Sequence, residues 1–382
     1  MVEQIDGGKV VDVIYLDFRK AFDVINHSVL LGKLRAIGFS YQMLGWIESF
    51  LVSRSMCVSV GGSDSSVFSV GSGVPQGSVL GPLLFLIYVN CLGHHLSCRW
   101  YAFADDFKLY ISHERNTRVL ENSSLQVDLN KLVQVAESWN LKLNVSKCVV
   151  MRFGEKVVGN GAGSGYFLGL TELLLVHSHR DLGVLVDPSL RFHGHVDSLV
   201  RKASGLANNL LRSTICRTRE FMVTVFISHI RPLMDYCSTV WNVGFLGDCR
   251  KLESVQRKWT KNVAGLENMN YQGRLRALQL FSIRGRMVRC DLIKLWKIFH
   301  SNLEVGLLDI VERQSHQSTR GHAFKLSVPR CRKDIKRRFF SARSVLLWNG
   351  LSGEVVQSES LEVFKRKLDN QLADLFYATA DD

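Results

Sequence analysis

The sequence predicts an α+β fold: an antiparallel sheet with helices packed against it, then a mainly helical region. Three observations predict it. Over residues 10–153 the segments alternate in the order β-α-β-α-β-β-α-β. Two of the β-rich runs end on carboxylates, at Asp17 and at Asp105-Asp106. From about residue 196 the apolar spacing turns helical and stays so, apart from residues 300–330, which show no clear period.

Taken in order, Val10 to Phe18 reads as a buried strand, because it is apolar and β-branched and closes on Asp17. Residues 28–54 read as helix, with Leu30, Leu34, Ile37, Leu44, Ile47 and Leu51 at helical intervals. Val58 to Val70 reads as a hairpin around Gly61-Gly62-Ser63-Asp64. Gly73 to Pro82 holds two prolines and three glycines, so its backbone path is narrow, and Pro82 suits the first turn of an apolar helix over 82–92. Residues 99–111 read as a second hairpin with Asp105-Asp106 at its tip. Residues 117–140 read as an amphipathic helix with Leu125, Leu129 and Leu132 in its stripe, and 141–153 as strand. Gly154 to Gly165 holds five glycines and reads as a loop with strand after it, which argues against a dinucleotide-binding turn, since no helix follows. Helices are expected over 196–212, 218–240, 248–264, 272–300, 332–350 and 359–378.

The chain has 382 residues, 46% hydrophobic and 22% charged, as suits a folded protein of two or three domains. Its nine cysteines form no Cys-x-x-Cys pair, which argues against a zinc ribbon and for a reducing compartment. His177-x-His179 and His193-x-His195 lack the further ligands that a metal site needs. Residues 1–9 carry Glu3, Asp6 and Lys9 and do not read as a secretory signal. The longest apolar stretch, Val79 to Leu92, is shorter than the roughly 20 residues that span a bilayer. The expectation is an intracellular protein, of nucleus or cytoplasm, without a membrane partner.

Charge is divided unevenly. Residues 1–199 hold 17 Lys and Arg against 18 Asp and Glu, whereas residues 200–382 hold 31 against 17. Basic clusters in the second half, such as Arg330 to Arg338, alternate with aromatics including Trp259, Trp296, Phe339 and Phe340. Such a surface attracts a phosphate backbone and binds it in a salt-dependent way.

Adjacent carboxylates repel unless a cation relieves them, so a turn presenting Asp105-Asp106 suits a divalent metal, and hard oxygen ligands favour Mg²⁺. An aspartate closing a buried strand, as Asp17 does, likewise needs a partner.

Leu16-Asp17-Phe18-Arg19-Lys20-Ala21-Phe22-Asp23, Gly73 to Asn90, Phe103-Ala104-Asp105-Asp106, Asn144-Val-Ser-Lys147 and Asp181-Leu-Gly183-Val stand in the order of a known set of motifs. The tail Trp348-Asn349…Phe364-Lys365 fits the same set. Together they resemble the reverse transcriptases of retrotransposons without long terminal repeats, of the Jockey and chicken-repeat kind. The Pro-Gln-Gly-Ser run is the most specific part of the resemblance, which covers nearly the whole chain.

The resemblance implies an RNA-directed DNA polymerase with a palm sheet. The domains expected are a palm with partial fingers over 1–195, a basic helical thumb over 196–300 and a basic C-terminal region over 301–382. Partners would be an RNA template (the element RNA), a DNA primer and deoxynucleoside triphosphates. Asp17, Asp105 and Asp106 would hold two Mg²⁺ ions, or Mn²⁺, roughly 3.5–4 Å apart on either side of the reacting phosphate. Phe22 is then either a gate against the ribose 2′-hydroxyl or a core phenyl. Lys147 is either the group that neutralises the leaving pyrophosphate or a solvated lysine. Phe18, Pro75, Gln76, Gly77, Phe103 and Ala104 would line the nucleotide and template site. Relatives carry a fingers region before the first of these motifs, so the expectation is the C-terminal part of a longer element protein, with weak or absent activity in isolation. The competing reading is a non-catalytic remnant that only binds nucleic acid. A maturase-like or telomerase-like relative is a weaker third, against which the tail speaks.

Overall fold

Strand β1 (Val10–Leu16) is buried along its whole length and organises the first half of the chain. The computed structural model describes residues 1–115, 124–155, 163–300, 311–314 and 322–381. These divide into two compact units, essentially Glu3–His177 and Ser178–Asp382.

In the first unit a short helix, α1 (Val2–Asp6), precedes β1. After β1 come α2 (His27–Ile37) and α3 (Tyr41–Leu51) in place of the single helix expected over 28–54. The break has a local cause. Gly38 takes a left-handed φ of 102° and its N–H bonds back to Arg35 and Leu34, which ends α2, and the Ser40 hydroxyl then caps α3 by accepting from Met43 N–H. The hairpin region is two nested pairs, β2 (Arg54–Met56) with β5 (Phe68–Val70) and β3 (Ser59–Val60) with β4 (Ser63–Asp64). Then follow α4 (Leu80–Val89), β6 (Arg99–Phe103), β7 (Asp106–His113), α5 (Ser124–Ser138), β8 (Val149–Phe153), β9 (Gly163–Leu168) and β10 (Thr171–Leu175). Residues 117–123 of the helix expected over 117–140 lie outside the described residues.

Six strands form one sheet in the order β6-β7-β1-β8-β10-β9. β1 runs antiparallel to both β7 and β8, and the sole parallel pair among these is β8 with β10. Helices α2 to α5 pack on this sheet through Leu30, Leu34, Leu44, Phe85, Tyr88, Leu125, Leu129 and Leu132, all in one apolar cluster with Ile14, Leu16 and Phe107. Burying side chains of this size stabilises by about 1.5–3 kcal/mol each. The sheet is longer than expected: Gly163, read as loop, already begins β9, where Tyr166 is buried.

The second unit starts with a small hairpin, β11 (His179–Asp181) and β12 (Val184–Val186), and is otherwise helical. α6 (His193–Ser213) packs on α10 (Leu246–Lys261). Between them lie α7 (Arg219–Val225), a π-turn (Phe226–Ile230), α8 (Arg231–Asp235) and α9 (Ser238–Trp241). The helix expected over 218–240 is broken there because Pro232 has no N–H to give the previous turn. α11 (Tyr271–Ala277), α12 (Ile283–His300), α13 (Asp334–Arg338), α14 (Phe340–Arg343), α15 (Val345–Asn349), α16 (Gly353–Val356), α17 (Leu361–Gln371) and α18 (Ala373–Tyr377) complete it. Trp296, Trp348, Phe364 and Phe376 are buried in one core cluster of this unit. Among the described residues no helix is long and apolar enough to cross a membrane.

Candidate active site

The pairing of β1 with β7 sets the geometry. Leu16 pairs with Phe107 in an antiparallel register, so the next position carries Asp17 towards Asp106. On the other side β7 pairs with β6, whose last pair is Phe103 with Asp106. Ala104 and Asp105 therefore form a two-residue tip. Ala104 has a φ of 53°, a left-handed conformation that costs a residue with a Cβ roughly 1–2 kcal/mol. That strain sits beside the carboxylates. Asp105 is half-buried, while Asp106 and Phe103 are exposed.

Asp17 is held from its other flank. The residues after it leave the strand, and Phe18, which is buried, bridges to Leu143. The Asp17 carbonyl accepts from Asn144 N–H at 2.7 Å, and the turn that follows is closed by Lys147 N–H to the Asn144 carbonyl at 2.9 Å. This turn brings Lys147 Nζ to 3.3 Å from Asp17 Oδ2.

The Gly73–Pro82 loop is fastened to the segment after β1. Val74 N–H donates to the Phe22 carbonyl and Gly73 N–H to the Ile25 carbonyl, both at 2.9 Å. Arg54 donates to the Gly73 and Ser72 carbonyls, and His27 meets Gly73 O at 2.8 Å. Gly73 has a φ of 75°, and a Cβ there would stand 2.6 Å from the carbonyl oxygens of both Phe22 and Asp23. Only glycine allows so close an approach. Gln76 is exposed and its amide nitrogen donates to Asp23 Oδ1 at 2.7 Å. The Phe22 ring stacks on Phe85 at 4.3 Å. Pro75 is half-buried and its carbonyl accepts from the Ser78 hydroxyl at 2.6 Å, whereas Gly77 is exposed with a φ of 80°.

The structure thus brings Asp17, Asp106 and the Ala104-Asp105 tip to one end of adjacent strands and sets Lys147 against Asp17. It does not close them into a metal cage: among the described residues no group of three or more His, Cys, Asp or Glu is gathered for a metal ion. The donor set still fits one. All three are hard oxygen ligands, and the Lys147 ammonium stands at Asp17 as a cation already. Sequence reasoning missed the Asp17–Lys147 contact and the parts of Asp23, His27 and Arg54. No local pattern signals them, because each depends on a distant segment.

Further along β1 lies a second carboxylate with a different fate. Asp12 is fully buried, and Arg152 grips it with two hydrogen bonds of 2.7 and 3.1 Å. Tyr166 donates its hydroxyl to it at 2.9 Å, and His113 Nε2 lies 3.3 Å away. Burial pushes the Asp12 carboxyl up, but the hydrogen bonds from His113 and Arg152 outweigh it and hold the group below its ordinary range. The same contact with Asp12 raises His113.

In the second unit several clustered arginines are committed internally: Arg286 to Asp235, Arg289 to Asp369 and Arg343 to Asp291. His195 is buried. Its Nδ1 accepts from Leu185 N–H at 3.1 Å, and burial lowers it to about 4. His193 pairs instead with Asp248 at 2.6 Å.

Comparison with known proteins fits this geometry. Residues 6–186 match the family model described as reverse transcriptase (RNA-dependent DNA polymerase). The "RNA-directed DNA polymerase from mobile element jockey" of Drosophila melanogaster is 28% identical over 269 residues, which is 66% of this chain and 28% of that protein. Its namesake from Drosophila funebris is 27% identical over 290 residues, 73% of this chain and 30% of that protein. The chain spans less than a third of the length of these curated relatives. Among solved structures, the telomerase from Candida Tropicalis in complex with a TWJ fragment of telomeric RNA aligns over 79% of this chain and 49% of that one. It is 11% identical with a TM-score of 0.37, too distant to position any residue.

Proposed function

We propose that this chain, whose residues 6–186 belong to the reverse transcriptase (RNA-dependent DNA polymerase) family, extends a DNA primer along an RNA template as part of a retrotransposon polymerase. The observation that carries this reading is the register that turns Asp17, the residue after β1, towards Asp106 on β7, beside the loop fastened to Phe22 and Asp23.

Asp17, Asp105 and Asp106 are the residues that would hold two Mg²⁺ ions, or Mn²⁺, which when bound supply Lewis acidity to the attacking 3′-hydroxyl and the α-phosphate. The chain's own residues do the positioning. Phe22, backed by Phe85, presents a rigid ring that excludes the 2′-hydroxyl of a ribonucleotide. Gln76, anchored through its amide nitrogen on Asp23, keeps its amide oxygen for the incoming nucleotide or the template strand. Pro75 and Gly77 shape that loop, Phe103 and Ala104 line the approach to the carboxylates, and the backbone of the buried Phe18 supports it from below. Lys147 donates a proton to the leaving pyrophosphate once Asp17 releases it. Residues 196–300 act as a basic thumb and 301–382 as a further nucleic-acid contact, acting inside the cell on element RNA.

Primer extension on poly-rA with Mg²⁺ tests this. Extension that is lost in Asp105→Ala, and that accepts ribonucleotides in Phe22→Ala, supports it. Extension that survives Asp105→Ala overturns it. The competing reading is a remnant that binds an RNA–DNA hybrid without extending it. Tight hybrid binding with no extension under any divalent cation would select that reading.

A further inference from the structure

We propose that the second unit holds a pocket for one unpaired nucleotide of a single-stranded nucleic acid. A cavity of about 300 Å³ opens between the segment before α6, the loop joining α9 to α10, and α13. It lies wholly within that unit and is independent of the palm carboxylates, so the two readings stand or fall separately.

The lining has three chemistries in one place. Leu190 and Val243, both buried, make an apolar floor. Phe245 and Arg338 make a flat wall, with the guanidinium carbon 4.2 Å from the ring centroid. That guanidinium is pinned. Its Nε donates to Asp334 at 2.6 Å, and Nη1 reaches the carbonyls of Val243 and Gly244 at 3.3 and 3.5 Å. A guanidinium held in its plane is a platform on which a base stacks. Arg191 and Lys333 add two cations to the same lining. Arg191 is exposed and makes no ion pair among the described residues. The one acid of the lining, Asp334, is already taken by Arg338.

Such a site needs a ligand with a flat face and an anion beside it. A nucleotide has both: the base lies on Arg338 over the apolar floor, and the phosphate reaches Arg191, with the positive charge of Lys333 in the same lining. The cavity is at the small end of ligand sites, roughly 300–1,000 Å³. It takes one base and excludes a duplex, whose bases are stacked and paired. Other arginines of this unit offer less to an anion, because Arg286, Arg289 and Arg343 are spent on internal carboxylates.

The test uses the full chain and fluorescein-labelled oligonucleotides of one sequence, as single-stranded RNA, as single-stranded DNA and as blunt duplex, read by fluorescence anisotropy. Arg191→Glu and Lys333→Glu should each weaken single-strand binding about tenfold. Arg219→Glu, an equal change of charge on α7, should weaken it by no more than about twofold. Duplex binding should not separate the three variants. Circular dichroism confirms that each variant is folded. RNA carrying 4-thiouridine should crosslink to the peptides containing Phe245 or Arg338, a readout independent of the charge changes. A preference for RNA adds the ribose hydroxyl to what the pocket reads, and equal binding of DNA leaves base and phosphate; either supports the pocket. Equal weakening by all three variants, or a crosslink elsewhere in the second unit, overturns it.

Discussion

The ammonium of Lys147 lies 3.3 Å from Oδ2 of Asp17, and both groups keep contact with solvent, at 66% and 28% side-chain exposure. An ion pair so exposed is worth about 0–1 kcal/mol. Lys147→Ala should therefore change the unfolding free energy by less than about 1 kcal/mol. If Lys147 is the proton donor proposed above, the same substitution should slow extension about 10²–10⁴-fold. Urea denaturation and primer extension on one preparation decide it. An unchanged rate makes Lys147 a counter-ion only.

Asp12 is the opposite case, since it has no exposure and Arg152 holds it with two hydrogen bonds. Asp12→Asn leaves the guanidinium with only the more distant, part-exposed Glu155 at 3.9 Å as a counter-ion. The expected cost is about 3–5 kcal/mol, seen as a lower urea midpoint. A change below about 1 kcal/mol would mean that Arg152 swings out to solvent.

Stability should also depend on pH through this cluster, with two limbs. His113 is raised above its ordinary 6.5, chiefly by its hydrogen bond to Asp12, so its contribution is complete below 6.5 and is lost as pH rises through the raised value. Asp12 is lowered below 3.8, so its contribution is complete above 3.8 and is lost as pH falls through the lowered value. The urea midpoint should fall on going alkaline from 6.5, and His113→Asn should flatten that limb and weaken the acid limb too, because His113 is one of the two groups that hold Asp12 down. An alkaline limb that persists in His113→Asn would refute the assignment.

Two glycines of one loop should respond differently to the same substitution. Gly77 has a φ of 80° but open space around it, so Gly77→Ala costs conformational strain alone, about 1–2 kcal/mol. Gly73→Ala adds a Cβ at 2.6 Å from two carbonyl oxygens, and backbone must move. More than about 3 kcal/mol is expected, together with a loss of extension greater than in Gly77→Ala. Equal effects would show that the loop relaxes freely.

How much of this was legible beforehand can be read off particular residues. β1 was, because an apolar β-branched run that stops at Asp17 has few other solutions. The hairpin presenting Asp105 was, because its two strands have the aromatic and β-branched composition of strands. The break at Gly38 had its signals in place, a glycine to end one helix and Ser40 to start the next, but apolar spacing on both sides continues at helical intervals and masked them. A strand was expected after Gly165, but the start of β9 was hidden by its glycines. Gly163 and Gly165 read as loop, and only the burial of Tyr166 against Asp12, across the sheet, makes a strand of them. The Lys147 and Gln76 contacts were not legible, because each joins residues far apart in the chain whose meeting is decided by the sheet.

The place of β1 in the sheet has a consequence for hydrogen exchange. It is paired to β7 along its whole length and to β8 from Val11 to Tyr15, and none of its residues is open to solvent. Deuterium should enter it among the last segments of the first unit, long after the short exposed pairs β2–β5 and β3–β4 have exchanged. Asp17 is the next residue of that slow segment, so local opening of the thin hairpins leaves its carboxylate in place, and denaturant should displace it only when the whole sheet comes apart.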